Sequence, residues 1–244
     1  MPSVARTTPP TLDATRARYL AVLLCLTSGS LDAISFLALG EVFASVMTGN
    51  VVFSGIALVS GDGAVLLACA LALCSYVAGV VVGSRLAASP GAEVEGQHWP
   101  PGVTRALRCQ LGLMLLLCLG WVLADPAAHD EARLALLAGS AGAMGIQGAA
   151  VRRLGVTVST TYMTGALTTV IESVALGKGL PPGERAAALG LVLLCVGAAI
   201  GALAVTEASW PSYLVPATFL ALTLLMHGLV ARRSGRSEAR SSVR

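Results

Sequence analysis

SGSLDAISFLALGEVFASVMTGNVVFSGIAL, residues 28–58, and AMGIQGAAVRRLGVTVSTTYMTGALTTVIESVAL, residues 143–176, share a Met-Thr-Gly triplet at Met47–Gly49 and Met163–Gly165. Setting the register there and opening one gap aligns Gly40 with Gly155 and Asp32 with Gln147. Further along, GVVVG at 79–83 matches GAAIG at 197–201 with nearly the same offset. Three matches in one order identify an internal repeat, which has to be recognised before any local motif is interpreted. Each half holds a long helix, a short Thr-Gly segment and two further long helices.

Outward from these stretches the chain is apolar almost throughout. Of its 244 residues 55% are hydrophobic and only 12% charged, and the mean hydropathy is +0.79. Too few charges exist to cover a water-facing surface, so the chain is a membrane protein whose first partner is the lipid bilayer. Sixteen Lys and Arg against thirteen Asp and Glu leave a small positive excess. The cations sit beside apolar blocks, where headgroups and topology account for them and nucleic acid does not. Cys25, Cys69, Cys74, Cys109, Cys118 and Cys195 lie within or beside apolar runs without CxxC spacing, and are expected to be plain buried thiols.

A helix needs about 20 apolar residues to cross roughly 30 Å of hydrocarbon. Six blocks qualify: 19–39, 64–86 and 107–124 in repeat 1 (19–124), and 134–151, 185–206 and 212–231 in repeat 2 (134–231). Residues 1–18, with Pro2, Pro9 and Pro10, are expected to be a disordered cytoplasmic lead-in, and 232–244 a basic cytoplasmic tail. Apolar blocks continue almost to residue 231, which argues against a cleaved signal peptide. Blocks 42–60 and 156–176 are richer in Ser, Thr, Gly and β-branched residues, and their path follows from charge. If both re-enter the membrane, fifteen of the sixteen cations are cytoplasmic and only Arg133 is outside; if both cross, eleven are inside and five outside. The positive-inside rule selects the first arrangement. Three spans per repeat then place the halves in opposite orientations, as in many secondary transporters. The expected fold is an all-α membrane protein of six transmembrane helices in two inverted repeats, each with a Thr-Gly strand and half-helix re-entrant segment.

In GEVFASVMTGN and GVTVSTTYMTG, β-branched and hydroxyl residues favour extended backbone leading into a short helix. Extended backbone at membrane depth must be enclosed by protein or line a wet cavity. Asp32 and Gln147, each thirteen residues into its block, are expected to converge near mid-depth with the two half-helix N-termini. Free amides there would favour an anion, or Asp32 itself. The plainer alternatives are that Asp32 caps unwound backbone and that Thr48, Asn50 and Thr164 are helix N-caps. The GxxxG pairs at Gly79 and Gly197 and the ladder Gly139, Gly142, Gly145, Gly148 read as helix packing. Glu172 is expected at the headgroups, and Arg152 and Arg153 as topology determinants.

SGSLDAISF, GEVFASVMTGN, GIQGAAVRRLG and TTYMTG together resemble the YoaK-like family of bacterial multi-pass membrane proteins, a domain of unknown function, over roughly residues 18–230. The resemblance implies a bacterial inner-membrane location and no established substrate. Asn50 in the first half faces Ala166 in the second, and Asp32 faces Gln147, so the halves are not chemically equivalent. Strand-then-half-helix in inverted repeats is also similar to the uracil-permease and sulfate-permease architecture, an analogy of fold alone.

Three function classes compete. A small secondary transporter would bind a small solute, an anion among the candidates, between the Thr-Gly turns, with Asp32, Thr48, Gly49, Asn50, Gln147, Thr164 and Gly165 as binding residues and Asp32 in proton coupling. An intramembrane enzyme is disfavoured, because His98, His129 and His227 are scattered, Ser28 and Ser140 lack a GxSxG setting and no metal-ligand cluster exists. An accessory subunit would use its glycine faces for packing. The transporter is the favoured expectation, with no catalytic residue, metal or cofactor, and with a homodimer compensating for the small number of spans.

Overall fold

The structure is a computed structural model that describes residues 12–88, 99–124, 129–154, 163–207 and 211–241. Among the described residues there are eight helices and no strand: α1 (Leu12–Ala38), α2 (Met47–Ser60), α3 (Gly63–Ala87), α4 (Pro101–Ala124), α5 (Asp130–Arg152), α6 (Met163–Ala175), α7 (Pro182–Thr206) and α8 (Leu214–Ser241). All but α2 and α6 are long and apolar enough to cross a bilayer. Their bounds follow the six expected spans, with α1 and α8 running further. Residues 12–18 contain no Gly or Pro, and Leu, Ala and Arg are good helix formers, so the lead-in from Leu12 is helical and not disordered.

Glycines end three of the helices in the same way. At the end of α1, Gly40 has φ 116° and the Glu41 N–H donates to the Phe36 carbonyl at 3.2 Å. At the end of α2, Gly61 has φ 73° and the Asp62 N–H donates to Ala57 at 3.0 Å. α6 closes likewise on Gly177, φ 62°, with Lys178 N–H on the Ser173 carbonyl at 3.0 Å. These are Schellman-type closures, which need a residue comfortable at positive φ. Asp62 then caps α3, its side chain accepting the Val65 N–H at 3.1 Å.

The strand expected ahead of the first Thr-Gly turn does not form; residues 41–46 are irregular. Among the described residues no strand pairs with them, and side chains of α1 and α2 bond the backbone of Phe43 and Ser45 instead. The corresponding extended stretch, 155–162, lies outside the described residues.

α1 and α5 occupy the middle of the bundle: 72% of the apolar window of each is buried, against 22–28% for the other long helices. α7 packs along α1 and α3 along α5, both through glycine. A Cβ on Gly79 would overlap the Gly142 carbonyl oxygen, and one on Gly83 would lie 2.7 Å from Ile146 Cα. In the other pair, a Cβ on Gly197 would overlap the Leu26 carbonyl and one on Gly201 that of Ser30. Such close approach suits helices that associate in lipid, where packing and not water exclusion drives contact.

The two glycine contacts share one register. Gly79 on Gly142 corresponds to Gly197 on Leu26, and Gly83 on Ile146 to Gly201 on Ser30. Two residues beyond Ser30 and Ile146 stand Asp32 and Gly148, while Gln147 falls opposite Leu31. The gapped alignment pairing Asp32 with Gln147 is therefore corrected by one residue, and the ungapped register also carries Met47 onto Met163 and Gly61 onto Gly177.

Aromatic contacts fix the ends of α4 and α8. Trp99, just ahead of α4, stacks on His227 at the middle of α8 at 4.7 Å between ring centroids. Tyr213, just ahead of α8, meets Trp121 late in α4 edge-on at 5.5 Å. The two helices therefore run antiparallel. A cavity of about 490 Å³ is lined by the end of α1 (Phe36–Ala38) with Leu39–Glu41, by Asp62 and the start of α3, and by Asp130, Arg133 and Leu134 at the start of α5. The six cysteines are free, but Cys74, Cys109 and Cys195 are exposed on the apolar exterior and only Cys25 and Cys69 are fully buried. A thiol facing lipid gains nothing from further burial, so that expectation holds for part of the set only.

Candidate intramembrane site

α1 carries an unusual load of buried polar side chains: Thr27, Ser28, Ser30, Asp32 and Ser35. Ser28 and Asp32 are four residues apart and stand one above the other on one helix face. Each anchors a separate polar cluster.

At the first, the Ser45 N–H donates to Asp32 Oδ1 at 2.7 Å and the Ser45 hydroxyl to Oδ2 at 2.5 Å. Asp32 is 7% exposed. Among the described residues the ion pair is Arg133 with Asp130, and Asp32 has no cation in reach. Charge-assisted donors from Ser45, with the backbone N–H of Ala44 beside them, are what compensate this carboxylate. Beside it, Asn50 is fully buried and grips Phe43 twice, accepting its N–H at 3.0 Å and donating to its carbonyl at 2.7 Å. The Phe43 ring packs against Phe36 of α1, at 5.0 Å, and Phe53 of α2, at 6.1 Å, in a triangle whose third side is 6.4 Å. The break between α1 and α2 is thus held from both sides by side chains that replace a strand partner.

Asn50 and Thr48 are not N-caps. The cap position of α2 is Val46, with no side-chain cap bond, and Asn50 reaches back past it to Phe43. Thr48 is exposed and Gly49 half-buried, where a Cβ would touch the Phe43 ring at 3.4 Å. Thr164 and Gly165 are exposed at the start of α6, and their carbonyls accept the hydroxyls of Thr168 and Thr169 at 3.0 Å. α2 packs on α3 and α6 on α7, with no packed interface between α2 and α6. The two Thr-Gly helices are thus not packed on each other; each lies along the outer helix that follows it, and Met163 and Ala166 also meet the cluster of Val22 and Cys25 on α1.

Gln147 forms the second cluster. Its Nε2 donates to Ser28 Oγ at 2.8 Å and to the Leu24 carbonyl at 3.2 Å, and its Oε1 accepts from Gln110 Nε2 at 2.8 Å. Gln110 went unnoticed in the sequence, although a lone amide inside the apolar block 107–124 was the signal. Its Oε1, like Thr27 Oγ1 and Ser35 Oγ, is buried without a hydrogen-bond partner. Chemically the two clusters offer one carboxylate able to exchange a proton and a neutral amide and hydroxyl chain one turn away.

The family model described as a protein of unknown function (DUF1275) matches residues 20–226. The chain belongs to this family. Over 195 residues it is 32% identical to the UPF0700 transmembrane protein YoaK of Bacillus subtilis (strain 168), an alignment covering 76% of this chain and 82% of that one. No solved structure matches. The DUF1275 match takes in both polar clusters and both Thr-Gly helices, so the geometry above falls within the family's shared region. YoaK is named a transmembrane protein, and the six long apolar helices make this DUF1275 chain a multi-pass membrane protein too.

Proposed function

We propose that this chain is a small secondary transporter of the bacterial inner membrane, with cytoplasmic termini and two inverted repeats, in which Asp32 carries the coupling proton. The observation that carries the proposal is Asp32 itself: a buried intramembrane carboxylate with no cationic partner among the described residues, bonded to the backbone of the break between α1 and α2. In the ionised form both oxygens accept from Ser45. Protonation of Oδ1 would remove the acceptor for the Ser45 N–H and loosen residues 42–46, coupling proton uptake to movement of α2. A small solute would be handled between that break and the buried core of α1 and α5.

Several contacts support the inverted arrangement. The cavity joins the end of α1 to the starts of α3 and α5, as expected if α2 leaves and returns on one face. The antiparallel α4 and α8 suit six spans, whereas eight spans would run them parallel. The charge count agrees. A homodimer belongs to the same proposal: Val52 and Ile56 of α2 and Ile171 and Val174 of α6 are exposed apolar positions for lipid or a second copy.

The test is electrogenic or pH-driven uptake in proteoliposomes, screened over amino acids, nucleobases and polyols, for the wild type and Asp32→Asn. A solute-dependent signal that needs an acid-outside gradient in the wild type and is lost in the variant is expected. Uptake with the same pH dependence in both removes Asp32 from the mechanism. A structural role for Asp32 is the second reading, favoured by the full engagement of its oxygens by Ser45. Against the accessory-subunit reading, Gly29, Gly79, Gly83, Gly145, Gly197 and Gly201 make contacts inside the chain.

A further inference from the structure

Gln110 of α4, Gln147 of α5 and Ser28 of α1 are fully buried, and their hydrogen bonds run in one direction. Ser28 Oγ donates to the Leu24 carbonyl at 3.2 Å, Gln147 Nε2 donates to Ser28 Oγ, and Gln110 Nε2 donates to Gln147 Oε1. The chain of donors ends at Gln110 Oε1, an acceptor with no donor. Buried carbonyl oxygens are seldom left in this state, and neither lipid nor the apolar neighbours can supply a proton. The cluster also joins three helices, including both members of the buried central pair.

We infer that Gln110, Gln147 and Ser28 form a binding site for a small uncharged hydrogen-bond donor, seated at the junction of α1, α4 and α5 and anchored on Gln110 Oε1. The inference rests on the transporter reading and gives its solute a chemical class. The free group is an acceptor, so the ligand donates: a hydroxyl or an amide N–H. No charged side chain belongs to the cluster, so an ionic ligand would be buried without a counter-charge, which is far costlier than burying a neutral polar group. Ser28 stands one turn, about 6 Å of rise, from Asp32 on the same face of α1. A ligand here and a proton there would act on neighbouring rungs of one helix. A single trapped water has the same donor chemistry, and the experiment separates it from a solute that arrives by an open path.

The full chain, with its six native cysteines replaced, would carry Gln110→Cys or the near-isosteric Ser28→Cys in proteoliposomes. The probes are 2-hydroxyethyl methanethiosulfonate, neutral and donating, and its sulfonatoethyl analogue, an anion. Leu107→Cys, equally buried on α4, is the control. Cysteines at 110 and 28 should react with the neutral probe about tenfold faster than the one at 107, and about tenfold faster than with the anion. Silence of both until the protein is denatured would overturn the site and leave a sealed node holding at most water. Equal rates with the anion would overturn the ligand class. Ser28→Cys keeps the test valid should Gln110→Cys fail to fold. A silent site beside pH-driven uptake that is lost in Asp32→Asn sinks this inference and spares the transporter. Reactive cysteines with pH-independent uptake do the opposite.

Discussion

Asn50 holds Phe43 by both polar atoms of its backbone, taking its N–H at 3.0 Å and giving a hydrogen to its carbonyl at 2.7 Å. One side-chain amide thus does locally what a neighbouring strand would do in a sheet, and it lets six irregular residues lie among helices.

Asn50→Ala leaves both Phe43 groups without their partner in a buried setting and is expected to destabilise the protein by about 2 kcal/mol. Asn50→Asp should do no better, because it turns an oxygen toward the Phe43 carbonyl. Unfolding in mixed micelles with increasing dodecyl sulfate reads both; an unchanged midpoint for Asn50→Ala would show that the grip contributes nothing.

Asp32→Asn keeps both bonds to Ser45, its Oδ1 accepting the N–H and its Nδ2 donating to the hydroxyl. Its stability is expected within about 1 kcal/mol of wild type, whereas Asp32→Ala strands the Ser45 amide and should lose about 2 kcal/mol or more. The same unfolding assay compares them, and equal loss in the two variants would mean that charge, not geometry, holds the break.

Gly79→Ala and Gly197→Ala should behave alike, since in each the new methyl meets backbone of the partner helix. A loss of about 1–3 kcal/mol is expected for either. Gly55→Ala, in a helix with nothing within 4 Å, should be neutral or stabilise by up to about 1 kcal/mol. Thermal inactivation of the three variants in detergent checks the ranking; a tolerant Gly79 beside an intolerant Gly197 would break the equivalence of the two contacts.

Single cysteines at Asp62, Ala88 and Lys178, all exposed at helix ends, report topology. With six spans, a membrane-impermeant maleimide should label Asp62→Cys in intact cells, and Ala88→Cys and Lys178→Cys only after lysis. Labelling at 88 from outside, with protection at 62, would mean that α2 crosses.

The long helices were legible because composition and length suffice to mark them, and Gly79 and Gly197 announced their packing by spacing. The local structure around Asp32 was not. β-branched residues at Val42 and Val46 read as a strand, yet strand pairing needs a neighbour that a single sequence does not reveal, and Asn50 took that place. The repeat was visible in Met-Thr-Gly, but its register across α1 and α5 was set by backbone contacts at Ser30 and Ile146 that leave no mark in residue type. Gln110 stands outside the repeated motifs, and nothing in the second half echoes it. Its partner Gln147 was picked out for its alignment with Asp32, which the packing does not support, and it earns its place through Ser28 instead.

The pairing of α1 with α7 has a consequence for biogenesis. α1 leaves the ribosome first, while the groove on Gly29, Ser30 and Leu26 stays empty until α7 has been made. Through most of synthesis the span richest in buried polar side chains therefore waits without its chief neighbour, an exposed intermediate of the kind that chaperones and membrane proteases survey. A product truncated before Pro182 would hold six of the eight helices and still leave its first one unclaimed.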